Sequence, residues 1–339
     1  MRHVWLLALL LAPLLTAGCS GAGSILDTHG PRAAAIADLW WRLFWIGLGV
    51  FGLVMLLLAA ALLAQLRRRP ADQPHVVRVG QRAELASNGL VVIFGILLPL
   101  GVLFTVLIFE LRTLTAIAGL PSQPSLTVQV VGHQFWWEVH YPDGGIVTAN
   151  EIHVPTGGTV LLKLTSEDVI HSLWIPQLMG RMDLNPGQTT TTWFQADESG
   201  QYLGECVELC GIQHAHMRFQ VLAEPGDQFT DWLQAQQQPA APPSDPDSAR
   251  GAQAFAREGC IGCHTIRYGT QSVGGRIGPD LTHVGSRRTI AAGTLDNTLG
   301  NMTGWISNPQ AIKPGNDMPV LPLDADSLRS LATYLESLK

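Results

Sequence analysis

The sequence predicts a multidomain chain: a two-helix transmembrane hairpin, an all-β domain and a small all-α domain, in that order. Three observations predict it. Leu43–Ala64 holds no polar residue and Gly89–Phe109 holds only Thr105, so each reaches the ~20 residues needed to cross a bilayer. From Leu126 onwards the texture changes to short β-branched and aromatic runs separated by Gly, Pro and Asp, which read as strands. Near the end, Leu328, Leu331, Tyr334, Leu335 and Leu338 recur three or four apart behind Asp324, the pattern of a capped amphipathic helix.

The elements follow in order. Residues 1–18 carry Arg2 and His3 before an apolar run from Val4 to Leu15, then Thr16, Ala17 and Gly18, a secretory signal with a small-residue cleavage site. Cys19 follows at the point of cleavage, and the stretch resembles a bacterial lipoprotein signal, with Thr16 where Leu is usual. That resemblance implies lipidation at Cys19; a plain signal peptide is the alternative. Residues 19–38 form an N-terminal periplasmic segment, 39–66 the first span, 67–88 a loop and 89–112 the second span. Pro99 is placed to kink the second span. The loop carries Arg67, Arg68, Arg69, Arg78 and Arg82 against Asp72 and Glu84, so the positive-inside rule assigns it to the cytoplasm. Everything after Thr113 then lies on the outer face of a bacterial cell membrane. Strands are expected over 127–131, 135–141, 159–165 and 189–194, within a β domain spanning 121–233. Residues 234–248, rich in Gln, Pro, Ala and Ser, read as a linker. Residues 249–339 form the last domain.

The chemistry is concentrated in two places. Cys206, Cys210, His214, His216 and Met217 lie within twelve residues. Thiolate and thioether are soft ligands that select copper, and imidazole suits copper too. A disulfide explains neither the His nor the Met, and zinc has little use for a thioether. A blue-copper site needs one Cys, so a second implies two thiolates bridging two ions, with His171 as an upstream ligand. The segment must curl, since a helix would separate Cys206 from Met217 by ~16 Å. Gly204 and Gly211 permit that. Further on, Cys260, Cys263 and His264 form a CxxCH haem-attachment motif, the thiols for thioether bonds and His264 as the proximal ligand.

The copper-type loop resembles the ligand loop of cytochrome c oxidase subunit II, and Gly132–Trp137 (Gly-His-Gln-Phe-Trp-Trp) resembles the aromatic stretch of that family. The resemblance covers roughly residues 35–233 and implies a cupredoxin-like Greek key. It implies a binuclear copper centre (CuA) held by His171, Cys206, Cys210, His214, Met217 and the Glu208 carbonyl, with the Glu208 carboxylate on a magnesium ion shared with subunit I. Phe135, Trp136 and Trp137 would be the electron-receiving aromatics, Phe135 standing where relatives begin the stretch with Trp. Relatives also often carry a Glu before the position of Pro99; Asn88–Gly95 has no acid. Gly278–Leu281 and Asn316–Pro319 resemble class I cytochromes c. That implies Pro279 holding the His264 ring and Met318 as sixth haem ligand, with Met302 and His283 as rivals. Of the remaining histidines, His75, His133, His153 and His216 carry no assigned chemistry.

Charge divides unevenly. Residues 121–233 carry three basic residues against thirteen acids, and 249–339 nine against seven, so the haem domain is expected to dock on the acidic copper domain. A flexible fifteen-residue linker would span ~20 Å and give an effective concentration on the order of millimolar. The resemblance implies the electron-input subunit of a caa-type haem–copper oxidase, passing electrons from a cytochrome c or similar donor through haem c and CuA to subunit I. Oxygen reduction and proton pumping belong to that partner; subunit III and the membrane are further partners, and no nucleic acid is expected. No catalytic residue is assigned in this chain. A CuA-containing nitric oxide reductase subunit, a free-standing membrane cytochrome and a copper-delivery protein are the alternatives.

Overall fold

A computed structural model describes residues 21, 23–67 and 81–339. The signal peptide, Cys19 and residues 68–80 of the expected loop lie outside the described residues.

The apolar helices, residues 35–119, form one compact unit. The first helix runs Pro31–Arg67 and the second hydrophobic stretch Asn88–Ala118, both long and apolar enough to cross a membrane. Helix begins at Pro31, before the expected boundary at 39, because Pro suits the first helical position, where no N–H partner is needed. The second stretch is a helix from Gln81 to Val92, a π-turn over Ile93–Leu97 and a helix over Leu98–Ala118. Pro99 cannot donate to the carbonyl four residues back, and the wider turn just before it absorbs the missing bond. Helix thus also covers 81–88, part of the expected loop.

The other unit holds the remaining described residues. Its first half is a sandwich of two five-stranded sheets. One has the order β3 (Ile146–Ala149), β2 (Trp136–Tyr141), β1 (Leu126–His133), β5 (Thr159–Ser166), β8 (Thr190–Gln195). The other runs β4 (Glu151–Pro155), β10 (Arg218–Glu224), β9 (Gly200–Cys206), β6 (His171–Ile175), β7 (Met179–Leu184). All four expected strands are among these. Two pairings, β1–β5 and β4–β10, are parallel, the crossovers that a Greek-key order requires. Alternating inward residues such as Val128, Val130, Leu162, Leu164 and Phe219 fill one core, as period-two strands dictate.

The chain ahead of the first helix is fastened to this sandwich. His29 N donates to Gln177 O and Asp197 N to His29 O, each at 2.8 Å. Arg32, in the first turn of that helix, donates to Thr192 Oγ1 at 2.6 Å and to Trp193 O at 2.5 Å.

The last domain packs the helix Pro246–Arg257 against the helix Ala325–Ser337. They cross at Gly251, where an added Cβ would sit 2.0 Å from Ser330 O. Asp324 caps the second helix, its carboxylate accepting from Asp326 N and Ser327 N. Two short hairpins supplement the expected all-α reading: β11 (Thr265–Tyr268) with β12 (Gln271–Gly274), and β13 (Thr289–Ile290) with β14 (Leu295–Asp296).

The 234–248 segment differs from a free tether. Its first residues finish the helix Gly226–Gln237, and its last begin the helix at Pro246. Between them Ala240 N donates to Arg267 O at 2.8 Å, and Arg267 Nη2 donates to Gln238 O at 2.6 Å. Glutamines are good helix formers, so helix persists until the prolines begin, and the remainder is held by backbone bonds.

Candidate copper and haem centres

Strand β6 begins at His171, β9 ends at Cys206, and the loop to β10 supplies the rest, so three elements of one sheet converge at its end. Cys206 Sγ and Cys210 Sγ lie 3.8 Å apart, far beyond the ~2.0 Å of a disulfide. His171 Nδ1 stands 3.9 Å from Cys206 Sγ, and His214 Nδ1 3.7 Å from Cys210 Sγ. Met217 Sδ is 3.8 Å from Cys210 Sγ, and Glu208 O is 3.4 Å from Cys206 Sγ. One imidazole thus flanks each sulfur, with the thioether and the carbonyl as outer donors. At a metal–thiolate length of about 2.3 Å, the 3.8 Å gap leaves room for an ion on either side of the sulfur–sulfur line. The donor set is soft and largely buried, and it fits a copper pair.

The two sulfurs titrate as a pair. Cys206 is held well below the ordinary thiol range, because it accepts from Cys210 and, against the cost of burial, from His171. The same bond pushes Cys210 up.

Residues around the ligands hold them in place. Asp168 Oδ1 lies 2.8 Å from His171 Nε2, which fixes the ring with Nδ1 toward the sulfurs. Burial works against charge on His171, but the bonds to Cys206 and Asp168 prevail and raise its pKa. Gln134 Nε2 donates to Cys210 O at 2.5 Å. Gly132 lets β1 pass flush against His171, since a Cβ there would lie 2.7 Å from the ring. The sequence reading missed Asp168 and Gln134; an acid three residues before the His was the signal for the first. Asp168→Ala is expected to weaken copper binding ~10–100-fold, the usual cost of losing a partner behind a metal-bound imidazole. Competitive titration with a copper chelator measures it.

Other expected residues separate by role. The Glu208 carboxylate points to Arg181, at 3.5 Å. Trp137 is fully buried, edge-on to His171 and Phe219, and its Nε1 donates to Met217 O. Phe135 lies on Gly211, where a Cβ would come within 2.9 Å of the ring. Trp136 stacks on His133 at 4.4 Å. His216 turns to Gln213, and His153 stacks on Trp232 between Glu151 and Glu224.

Cys260, Cys263, His264, Met302 and Met318 line a single cavity. His264 Nδ1 donates to Pro279 O at 2.9 Å, leaving Nε2 for iron. Gly278 passes against the ring, where a Cβ would lie 2.5 Å from His264 Cε1. Burial holds His264 below its ordinary pKa, in the neutral form that ligates. The two thiols, the oriented imidazole and the glycine cradle fit a covalently held haem. His283 is absent from the lining among the described residues, its Nε2 bonded to Gln238 O at 2.9 Å. Met302 is buried in the helical core. Met318 sits on a loop fixed by Gln310, whose Nε2 donates to Asn316 O and Met318 O.

The cavity's far wall belongs to the copper domain: Gln134, Phe135, Trp136 and Asn150 line it too. No ion pair crosses between the two domains among the described residues. Backbone bonds and the packing of Ala292 on Trp136 and Ala149 join them instead, where the charge imbalance had suggested docking by opposite fields.

The sequence profile of the cytochrome c oxidase subunit II periplasmic domain matches residues 145–223, and that of cytochrome c matches residues 248–339. Cytochrome c oxidase subunit 2 of Alkalihalophilus pseudofirmus is 33% identical over 331 residues, 96% of this chain and 94% of its own length. The protein of the same description from Bacillus sp. strain PS3 is 32% identical over 286 residues, 80% of each chain. That of Bacillus subtilis is 33% identical over 230 residues, 65% of this chain and 64% of its own. These relatives are oxidase subunits, which disfavours a nitric oxide reductase or a free-standing cytochrome. A match along 94% of the first relative runs through both the copper-type loop and the haem motif, so the chain belongs to the cytochrome c oxidase subunit 2 family, in its form with a cytochrome c domain fused at the C-terminus.

Proposed function

We propose that this electron-input subunit takes electrons from an external cytochrome c or similar donor at its haem domain and delivers them through the copper domain to subunit I. Haem c and the copper pair each supply a one-electron carrier when bound. In this reading Cys206, Cys210, His171, His214, Met217 and the Glu208 carbonyl would hold the copper, the two thiolates as its principal ligands. Cys260 and Cys263 would bind the haem covalently, and His264 and Met318 would supply its protein iron ligands.

The observation that carries the reading is Phe135. Phe135 lines the haem cavity, and its ring rests on Gly211, beside Cys210. One residue therefore touches the surroundings of both centres. Trp136 lines the same cavity, while Trp137 packs behind His171 and steadies the copper ligands. Phe135 in place of Trp suits a route that starts from a docked haem instead of a visiting protein.

Further assignments complete the proposal. The two apolar helices span the bacterial cell membrane as a hairpin with both redox domains on the periplasmic face, and Cys19 is acylated. The Glu208 carboxylate, exposed beside the copper loop, reaches a magnesium ion shared with subunit I once that partner displaces Arg181. Subunit III joins the same complex.

Metal analysis with optical and EPR spectra of the purified complex tests the centres. The expected result is two coppers per chain in a mixed-valence pair and one low-spin c-type haem. Cysteines 206 and 210 recovered as cystine, without copper, would overturn it.

A further inference from the structure

The two exterior domains share one buried cation. Lys313 belongs to the haem domain, just after the helix Pro309–Ile312, and is 3% exposed. Its ammonium donates to Phe135 O, in the copper domain, at 3.0 Å and to Ala291 O, at the tip of the β13–β14 hairpin, at 3.4 Å. No carboxylate pairs with it among the described ion pairs. A buried charge met only by carbonyls is costly, and burial lowers its pKa to about 8, opposed by the nearby Cys210. A methionine of similar length would fill the space without that cost.

The surroundings give the charge a use. Lys313 lines the haem cavity beside Phe135. The carbonyl it grips belongs to the peptide between Phe135 and Trp136, and on the other side of Phe135 the Gln134 side chain is bonded to the carbonyl of Cys210. The contact around it is built rigidly. Ala291, Ala292 and Gly293 all hold left-handed φ angles of 53°, 55° and 72°, an arrangement costly for alanine. That turn buries Ala292 on Trp136 and Ala149 and lets Arg218 N donate to Ala292 O. Beside it the Glu151 carboxylate accepts from Arg288 N and Thr289 N, and Gln213 Nε2 donates to Pro314 O.

We propose that Lys313 is a positioning residue for electron transfer between the domains: its ammonium clamps the Phe135 carbonyl, holding the haem cavity against the Gln134–Phe135 segment, and sets a positive charge between that cavity and Cys210. The inference rests on the function proposed above. Two consequences follow. Loss of the clamp loosens the contact across which the electron passes. Loss of the charge makes the copper pair harder to reduce, since a nearby cation stabilises the added electron.

The test uses the full chain in its oxidase complex, with haem reduced by a light flash and its reoxidation by copper followed optically. K313M is expected to slow that step tenfold or more, the scale on which small misplacements act, and to shift the copper potential negative. K313R keeps charge and donors and is expected to recover most of the rate. Wild-type rate and potential in K313M, with normal copper and haem spectra, would sink the inference alone. Should K313M fail to take up either cofactor, K313Q against K313R gives the same comparison, and equal rates in both overturn it. A wild-type complex lacking the copper or haem signal overturns the proposed function and this inference together.

Discussion

Replacing Cys210 with serine is expected to empty the copper site and stop respiratory electron flow through this subunit while the haem stays in place. Cys210 Sγ is the hub of the donor cluster, within 3.8 Å of Cys206 Sγ, 3.7 Å of His214 Nδ1 and 3.8 Å of Met217 Sδ. A hydroxyl is a hard, shorter donor that does not bridge copper as a thiolate does. Each ion would lose one of its two strongest ligands, and the remaining donors would no longer hold copper. The loop itself survives, because backbone bonds fix it: Cys206 N donates to Met217 O, Val207 N to Ser172 O and His214 N to Gly211 O. The two-sheet core that Cys210 joins is filled mostly by aliphatic and aromatic side chains from both sheets. Copper per chain should therefore fall to near zero by metal analysis, the mixed-valence EPR signal vanish and oxygen uptake drop to background. The c-type haem absorption should be unchanged. Retention of a full copper pair in Cys210→Ser would show that the thiolates do not bridge.

Met318→Ala is expected to lower the haem potential by a sizeable part of the ~0.8 V that axial ligands span, while Met302→Ala leaves it near the wild-type value. Both methionines line the cavity with His264, so lining alone does not choose between them. Their settings do. Met302 is packed in the helical core with Ile306 and Leu331, the place of a gap-filling thioether. Met318 follows the turn at Gly315, on a loop whose carbonyls at Asn316 and Met318 are both gripped by Gln310. Asn316 Oδ1 in turn accepts from Met318 N at 2.8 Å. A half-exposed side chain on a loop fixed this firmly suits a ligand more than a packing role. Met302→Ala should instead cost stability, ~2–5 kcal/mol for a buried methionine. Potentiometric titration separates the two, with the sulfur-to-iron charge-transfer band as a second readout. Loss of that band in Met302→Ala and its retention in Met318→Ala would reverse the assignment.

Much of the architecture could be read in advance because it rests on periodicity and composition. The apolar runs at 43–64 and 89–109, the strand alternation after Leu126 and the capped helix after Asp324 are local patterns, and each has its counterpart in the structure. The linker misled because a Gln- and Pro-rich stretch has the composition of a tether, while its course was set by partners far away, Arg267 and His283. The β13–β14 hairpin was missed because its strands are two residues each, too short for alternation to register.

The donor types of the copper-type loop were written in the sequence, since softness of sulfur and basicity of imidazole are properties of residue type and the loop is contiguous. The haem attachment was equally plain, being a covalent requirement on five adjacent positions. Only the tertiary structure decided which residues stand behind the ligands and how the two domains meet. Asp168 finds His171 three residues away, but Lys313 reaches Phe135 across 178 residues and Glu151 reaches Thr289 across 138. The last two end on a backbone carbonyl and a backbone N–H, which nearly every residue possesses, so side-chain identity leaves no mark of them until the chain has folded.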